Sequence, residues 1–216
     1  MHLLHRSVGR TSIVLLSVSV LAAAIGFHAC RSRGGLPYSD HFRQNQASEW
    51  KSYGGSWHLI DGAIRNDSDD RGAKLITGSS DLSDYQTDAD VQLTSSFGDA
   101  GIVFRVTAPE EGANAFYGYY AGIRLPGELI VGKVDLGFRP LASVRLQGGA
   151  LPNVWYHLRA RAIGCYISVE ATELEHGRSL GQVALPDAGC YRRGGFGLRS
   201  YESGGLWRNV RVSAVQ

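Results

Sequence analysis

The chain has 216 residues and a formal net charge of +2, and its 28 glycines far outnumber its 6 prolines. Arg6 and Arg10 account for the excess charge, since the chain after them contains 20 basic and 20 acidic residues. This balance argues against a nucleic-acid partner, and the length suits one domain with a short extra segment. Many short strands joined by glycine turns would give this composition.

The first 30 residues predict export from the cytoplasm. From Ser12 to Cys30 no Asp, Glu, Lys or Arg occurs. One interpretation is a signal peptide cleaved after Ala24, and another is an uncleaved hydrophobic helix that anchors the chain in a membrane. A third interpretation attaches lipid to Cys30, but Phe27-His28-Ala29 fits a lipoprotein motif poorly. We therefore expect a periplasmic or extracellular domain, with the membrane as a partner if the segment is uncleaved.

Composition also sets the expected domain boundaries. The leader occupies 1–30, a polar linker 31–37, and one globular domain 38–216. That domain contains two cysteines, Cys165 and Cys190. In an oxidising compartment such a pair predicts a disulfide, and two buried thiols are the alternative.

Short segments in which apolar and polar residues alternate make up the rest of the chain. Asp61-Gly62 is typical of a two-residue hairpin turn. No helical period is sustained after the leader, so the pattern predicts an all-β antiparallel sandwich or barrel. The predicted strands are Gly55–Ile60, Ala63–Asn66, Ala73–Thr77, Tyr85–Leu93, Gly101–Val106, Ala115–Arg124, Glu128–Val134, Phe138–Val144, Trp155–Ala162, Tyr166–Ala171, Leu180–Leu185, Gly194–Ser200 and Leu206–Ala214.

Alternation within these strands predicts which side chains point away from the core. If Ile102, Phe104 and Val106 face the core, Arg105 faces the opposite side, because successive side chains of a strand alternate. The same reasoning turns a set of charged and aromatic side chains outward. These are Asp88, Asp90, Tyr120, Arg124, Arg199 and Tyr201.

Eight segments in a fixed order carry a family resemblance. They are Tyr38–Phe42, GSWHLIDGAIRN, DYQTDADVQL, AGIVFRV, AFYGYYAGI, NVWYHLRARAIGCYISVEA, GGFGLRS and LWRNVRV. Together they resemble concanavalin A-like (laminin G-like) jelly-roll domains, in particular the 3-keto-disaccharide hydrolase-type domains of bacterial extracytoplasmic proteins. The resemblance covers Tyr38 to Val212 and implies two antiparallel sheets of about six strands. It also implies that one sheet is concave and that its groove holds carbohydrate.

Two departures from the enzymatic relatives weaken the case for catalysis. Enzymes of the keto-disaccharide type tend to carry a Gly-Tyr-Glu step where this chain has Gly118-Tyr119-Tyr120. Laminarinase-like glycosidases use a Glu-x-Asp-x-x-Glu strand, and the nearest segment here ends on Leu93. Both departures argue against hydrolysis, and the resemblance itself supports the fold rather than an activity.

The outward-facing set predicts a ligand groove. Asp90, Arg105, Tyr120, Arg124, Arg199 and Tyr201 are the candidate ligand-binding residues, since carboxylates and guanidinium groups bond sugar hydroxyls and aromatic faces pack against sugar rings. Asp88 and Asp90 are weak candidates for a catalytic pair. Their i, i+2 spacing on a strand gives about 6.5–7 Å, between the separations of retaining and inverting glycosidases. Alternatively, Asp90 and Arg105 form a cross-strand pair on an exposed sheet face.

The sequence thus predicts an extracytoplasmic, non-catalytic module that binds a carbohydrate or cell-surface glycan. A glycoside hydrolase of the 3-keto-disaccharide type and a laminin G-like protein-interaction module are the alternatives. No cofactor is expected. Relatives often hold a structural calcium to which Asp40 could contribute, although no calcium-loop spacing occurs here.

Overall fold

The computed structural model describes residues 35–43, 49–68 and 71–215. The predictions for residues 1–30, whether signal peptide, anchor helix or lipid attachment at Cys30, lie outside the described residues. Among the residues described, no helix is long and apolar enough to cross a membrane.

Fifteen strands make up the secondary structure of the described chain. They are β1 Tyr38–Asp40, β2 Lys51–Tyr53, β3 Trp57–Ile60, β4 Ala63–Asn66, β5 Arg71–Thr77, β6 Tyr85–Leu93, β7 Asp99–Thr107, β8 Tyr117–Arg124, β9 Glu128–Asp135, β10 Phe138–Arg145, β11 Trp155–Ile163, β12 Tyr166–Glu173, β13 Ser179–Pro186, β14 Gly195–Tyr201 and β15 Gly205–Ala214. The predicted hairpin turn is confirmed, because Asp61 and Gly62 both have positive φ (47° and 76°), as a type I′ turn requires.

The strands form two antiparallel sheets. One has eight strands in the order β13-β12-β11-β6-β15-β4-β3, with β1 paired to β15, and the other has seven in the order β10-β9-β8-β7-β14-β5-β2. The predicted jelly-roll sandwich of two antiparallel sheets is confirmed, with more strands in each sheet than expected. Several neighbours, such as β6 with β11 and β15, and β14 with β5 and β7, are far apart in the chain, so these strands cannot be assigned to a sheet from the sequence alone.

The core lies between the sheets and follows the predicted alternation. Ala89, Val91 and Leu93 on β6 face Ile102 and other fully buried residues of the seven-stranded sheet. A side chain of Val or Leu size contributes about 1.5–3 kcal/mol when it is fully buried. This face of each strand is therefore fixed, and the opposite faces are free to carry a site.

The predicted alternation fails at one position, Arg105. The β7–β8 register shifts between Phe104 and Thr107, and Arg105 has a φ of 52°, so an extra residue forms a bulge. Val106 consequently leaves the face of Ile102 and packs in a second apolar cluster on the outer face of the seven-stranded sheet. The expectation that Arg105 faces a groove while Val106 faces the core is wrong, because a bulge reverses the alternation after it.

Arg105 instead ties the sandwich together at one end. Its side chain is fully buried, and its Nη1 donates to the carbonyl oxygens of Gly164 (2.6 Å) and Tyr191 (2.8 Å). Its Nη2 donates to Asp84 Oδ1 at 2.9 Å, and its Nε donates to the carbonyl of Ser83. These contacts join β7 to the β11–β12 turn and to the loop before β14.

A disulfide fastens the same turn. Cys165 in the β11–β12 turn is bonded to Cys190 in the loop before β14, with 5.3 Å between the Cα atoms. The carbonyl of the neighbouring Gly164 is one of the acceptors of Arg105. A covalent bond and a charged side chain therefore hold one turn in place.

Candidate functional site

The two sheets separate the residues predicted to share one groove. Asp88 and Asp90 lie on the outer face of β6 in the eight-stranded sheet, whereas Tyr120 lies on the outer face of β8 in the seven-stranded sheet. The expected single groove is therefore wrong. The alternative cross-strand pair of Asp90 with Arg105 is wrong as well, since β6 and β7 belong to different sheets.

Four of the predicted ligand-binding residues do come together, on the outer face of the seven-stranded sheet. They line a pocket of about 200 Å³, which we call the Tyr120 pocket. Its lining consists of Asp99, Asn114, Tyr120, Arg124, Ile130, Phe138, Arg199 and Tyr201.

Asp99 is the carboxylate of the Tyr120 pocket, and it is 5% exposed. The hydroxyl of Tyr120 donates to its Oδ1 at 2.6 Å. Arg199 Nη1 lies 3.6 Å from Oδ1, and Arg124 Nε lies 3.7 Å from Oδ2. Burial raises the pKa of Asp99 above its ordinary value, although Arg199, the Tyr120 hydrogen bond and Arg124 oppose the rise. Burial also raises the pKa of Tyr120 well above its ordinary value, so its hydroxyl stays a donor.

Arg199 forms a wall of the pocket and is 3% exposed. Its guanidinium lies over the rings of Tyr120 and Tyr201, at 4.5 Å and 5.2 Å from their centroids. Its Nη2 donates to the carbonyl of Ala113 and to Asn114 Oδ1. Its buried Nε has no acceptor among the described residues. A buried donor without an acceptor is costly, so this wall favours a ligand that supplies one.

Two glycines give the aromatic rings of the pocket their room. A Cβ on Gly122 would overlap the hydroxyl end of Tyr120, and a Cβ on Gly132 would overlap the ring of Phe138. The ring of Tyr120 therefore lies over Gly122 and the ring of Phe138 over Gly132. The two rings meet edge to face with 6.4 Å between centroids.

The loop between β7 and β8, residues 108–116, folds across the outer face and bounds the Tyr120 pocket at Asn114. Its Gly112 carbonyl accepts a 2.6 Å hydrogen bond from the buried Nζ of Lys74, and its Phe116 is fully buried in the outer apolar cluster. Burial and the neighbouring Arg199 lower the pKa of Lys74 to about 8. A second, wider cleft of about 810 Å³ lies on the far side of the loop, between β2 and Pro109.

A different arrangement occupies the outer face of the eight-stranded sheet. A pocket of about 300 Å³, which we call the His157 pocket, is lined by Asp88, Asp90, His157, Arg159, Asn209 and Arg211. His157 Nδ1 lies 3.0 Å from Asp90 Oδ1, and His157 Nε2 lies 3.1 Å from Asp88 Oδ1. These two hydrogen bonds raise the pKa of His157 to about 9 against the effect of burial. Both ring nitrogens therefore carry protons and donate at neutral pH.

The carboxylates of the His157 pocket are poor candidates for glycosidase catalysis. Burial would raise the pKa of Asp88, but hydrogen bonds from His157, Gln86 and Arg159 leave it below the ordinary value. The pKa of Asp90 is also lowered, because the same imidazolium and Asn209 outweigh burial. A glycosidase acid needs the opposite, a carboxyl whose pKa is raised so that it holds a proton.

The sequence reasoning missed two central residues, Asp99 and His157. Asp99 faces outward like Val103, because the two residues are four positions apart on β7. Starting the predicted strand two residues earlier would have found it. His157 lies opposite Asp90 only because β11 pairs with β6, and that pairing leaves no signal in the sequence.

The carboxylate suggested for a calcium site does not fit a cation. Asp40 Oδ1 accepts from the Phe42 amide at 2.6 Å, and Oδ2 accepts from Trp50 Nε1 at 2.8 Å. Donors therefore already point at both oxygens, so the structure does not place Asp40 as a metal ligand. Another acidic group in the described chain, Glu173 with Glu175 and His176, is largely exposed.

Residues 40–213 match the model of the 3-keto-alpha-glucoside-1,2-lyase-like domain. The chain belongs to this family. The resemblance predicted from the sequence is thereby confirmed.

Known proteins share part of the sequence or the fold with this chain. A levanase from Bacillus sp. (strain L7) is 27% identical over 165 residues, which are 76% of this chain and 17% of the levanase. Carbohydrate-binding module CBM66 from Bacillus subtilis superimposes with a TM-score of 0.62 at 18% identity, covering 77% of this chain and 96% of the module. The exoplasmic/lumenal domain of VIP36, in a Ca²⁺/Man3GlcNAc-bound form, superimposes with a TM-score of 0.61 at 14% identity. The match covers 82% of this chain and 88% of the VIP36 domain. The two structural likenesses show the fold.

Proposed function

We propose that this chain is an exported domain that binds a single sugar unit of a glycan in the Tyr120 pocket. The observation that carries the proposal is the buried carboxylate of Asp99, held by Tyr120 and flanked by Arg124 and Arg199. A sugar ring presents hydroxyl groups that both donate and accept, and this set offers a matching acceptor and several donors. The aromatic rings of Tyr201 and the neighbouring Phe138 offer apolar surface to the C–H face of a ring.

The size and boundaries of the pocket support one sugar unit rather than a long chain. A cavity of about 200 Å³ suits a single ring, and the loop of residues 108–116 separates it from the wider cleft on the same face. The similar proteins also support a carbohydrate ligand. CBM66 is a carbohydrate-binding module, and the VIP36 domain carries Man3GlcNAc.

The disulfide supports export. Cys165 and Cys190 are bonded, and such bonds persist in oxidising compartments outside the cytoplasm. The apolar segment at 1–30 is the proposed export signal or anchor. N-terminal sequencing of the protein from the membrane and secreted fractions tests this, and a full-length chain in the cytoplasm would contradict it.

Binding is tested by calorimetry after a glycan-array screen. Arg124 and Tyr201 line the pocket without being fully buried, so Arg124→Gln and Tyr201→Ala should keep the fold. Each should weaken sugar affinity by roughly tenfold, the equivalent of one charge-assisted hydrogen bond or one stacking contact. Arg139→Gln, at an exposed position of β10, is the matched control. A glycan that binds all variants as well as the parent would place its site elsewhere, and no glycan ligand at all would favour a protein-interaction module.

Cleavage of a 3-keto-glycoside in the same pocket is a second candidate, favoured by the family to which the chain belongs. The raised pKa of Asp99 suits a carboxyl that exchanges a proton. Asp99 is, however, the one carboxylate that lines the pocket among the described residues, whereas glycosidases generally use two. Product release from 3-keto-glycosides by the parent, and its loss in Asp99→Asn, would support turnover. Absence of product from a panel of such substrates would oppose it.

A further inference from the structure

The His157 pocket differs from the proposed sugar site because its acceptors are already used. Asp88 Oδ1 accepts from His157 and from Arg159 Nε (2.8 Å), and its Oδ2 accepts from Gln86 Nε2 (2.7 Å). Asp90 is similarly bonded by His157, and by Asn209 Nδ2 at 2.8 Å. Each of the four carboxylate oxygens therefore already accepts at least one hydrogen bond from the protein.

Donors, in contrast, remain in surplus around this pocket. Arg159 and Arg208 use Nε on the carboxylates, and within the described chain their Nη groups meet no acceptor. Arg211 lies beside Asp88 in the β15–β6 register, and its exposed side chain has no hydrogen bond or ion pair to any described residue. Glu170, opposite Arg159 on β12, forms no ion pair with it. What the pocket lacks is an acceptor.

The charged side chains of the pocket sum to a net positive charge. Four cationic side chains surround two carboxylates, because His157 is protonated at neutral pH. The cations are His157, Arg159, Arg208 and Arg211, and the anions are Asp88 and Asp90. A planar guanidinium with free Nη groups is well suited to bind a carboxylate or sulfate in a two-point geometry.

We infer that the outer face of the eight-stranded sheet is a second binding site, specific for the acidic groups of an anionic polysaccharide. A uronate carboxylate or a sulfate ester accepts from Arg211 and from the Nη groups of Arg159 and Arg208. The pocket of about 300 Å³ leaves room for the sugar that carries the group. This site lies on the opposite sheet from the Tyr120 pocket and does not depend on the function proposed there.

A polysaccharide fits the surface better than a nucleic acid. Single-stranded nucleic acids are bound by positive grooves with free aromatic faces on which bases stack. Trp155 is already covered by the Arg208 guanidinium, 4.3 Å from its ring centroid, and the exposed Tyr166 lies four residues along β12 from Glu170 and does not line the pocket. The equal numbers of acidic and basic residues after the leader also oppose general attraction to nucleic acid.

The test measures affinity of the folded domain for polygalacturonate, dextran sulfate and neutral dextran at low and at physiological ionic strength. We expect salt-dependent binding of an acidic polymer, and the tighter of the two identifies the group as a uronate or a sulfate. Arg211→Gln should weaken binding of the acidic polymer by roughly tenfold, because it removes a charged donor. Arg139→Gln on the other sheet removes the same charge and should weaken that binding by about twofold or less. Tyr201→Ala should change nothing here.

Three results would overturn the inference. The first is absence of binding to both acidic polymers at low ionic strength. The second is an equal loss in Arg139→Gln and Arg211→Gln, which would indicate unspecific attraction. The third is a single-stranded nucleic acid that binds more tightly than either polymer, which would assign the surface to another partner. The Arg211 side chain is exposed and forms no hydrogen bond or ion pair to a described residue, so its substitution should leave the fold intact in each case.

Discussion

The two outer faces of the sandwich carry the same kinds of side chain and use them in opposite ways. In the Tyr120 pocket a buried carboxylate, Asp99, has a raised pKa and stands beside an unsatisfied arginine nitrogen. In the His157 pocket two carboxylates have lowered pKa values, and each of their oxygens accepts a hydrogen bond from the protein. The difference shows that burial governs the first site and hydrogen bonding the second.

The contrast also explains why residue type was a poor guide to role. An aspartate and an arginine on neighbouring strands indicate a ligand site only when they keep hydrogen-bond donors or acceptors that the protein itself does not use. In the His157 pocket the donors are in excess, and in the Tyr120 pocket a donor and an acceptor are both available.

The largest effect is expected at Arg105, which belongs to neither face. Arg105→Met leaves Asp84 and three carbonyl groups without their buried donor, so the free energy of unfolding should fall by about 3–5 kcal/mol. Urea denaturation measures the change, and Arg193→Met at an exposed position of the next loop is the control. If Arg105→Met instead loses ligand affinity and keeps its stability, Arg105 is a ligand-binding residue as the sequence predicted.

The His157 pocket should show a pH-dependent stability. The pKa of His157 is raised from 6.5 to about 9 on folding, so its stabilisation is fully present below pH 6.5 and is lost as the pH rises through about 9. His157→Gln should cost on the order of 2–3 kcal/mol at pH 6 and much less above pH 9.

The measurement is the difference in unfolding free energy between parent and variant across that range. Lys74, whose pKa is lowered to about 8, titrates in the same window with the opposite sign, but it is common to both proteins and cancels. A difference that stays constant from neutral to alkaline pH would mean that His157 is not held as an imidazolium.

The shape of the Tyr120 pocket should depend on Gly122. In Gly122→Ala the added Cβ displaces the Tyr120 ring, and such overpacking costs about 1–3 kcal/mol. Sugar affinity should fall with it, because the ring supports both Asp99 and Arg199. Gly137→Ala in the β9–β10 turn is the control, where the nearest atom to the added Cβ is 3.9 Å away. If calorimetry finds the same sugar affinity in both variants, the position of the Tyr120 ring does not affect the sugar site.

The smallest effect is expected for Tyr120→Phe. It removes the 2.6 Å hydrogen bond to Asp99 and should cost about 1–2 kcal/mol at pH 7. The cost should shrink in acid, since the raised pKa of Asp99 means that its carboxyl becomes neutral and needs the donor less. Equal costs at pH 7 and pH 4 would show that the hydroxyl does not stabilise the ionised carboxylate.

The sequence predicted the fold better than the site. Alternation in β6 and β14 identified Ala89, Val91 and Leu93 as core and placed Arg199 and Tyr201 outward, because period-two burial is a local property. It could not show that β6 and β8 lie in different sheets, which depends on pairing between distant strands. It also could not show the bulge at Arg105, where one extra residue reverses every later side chain.

The loop of residues 108–116 gives this domain a part that can be exchanged. The loop is attached to the sheet by backbone carbonyls, such as that of Gly112, and by the buried ring of Phe116. Most of its other side chains therefore do not hold the loop in place. A loop of another length would keep the sandwich intact only if it still offered carbonyl oxygens to Lys74 and Arg199 and an apolar side chain in place of Phe116. Within those three anchors, the depth of the pocket beside the loop, and with it the choice of ligand, is a property that evolution or an engineer can adjust.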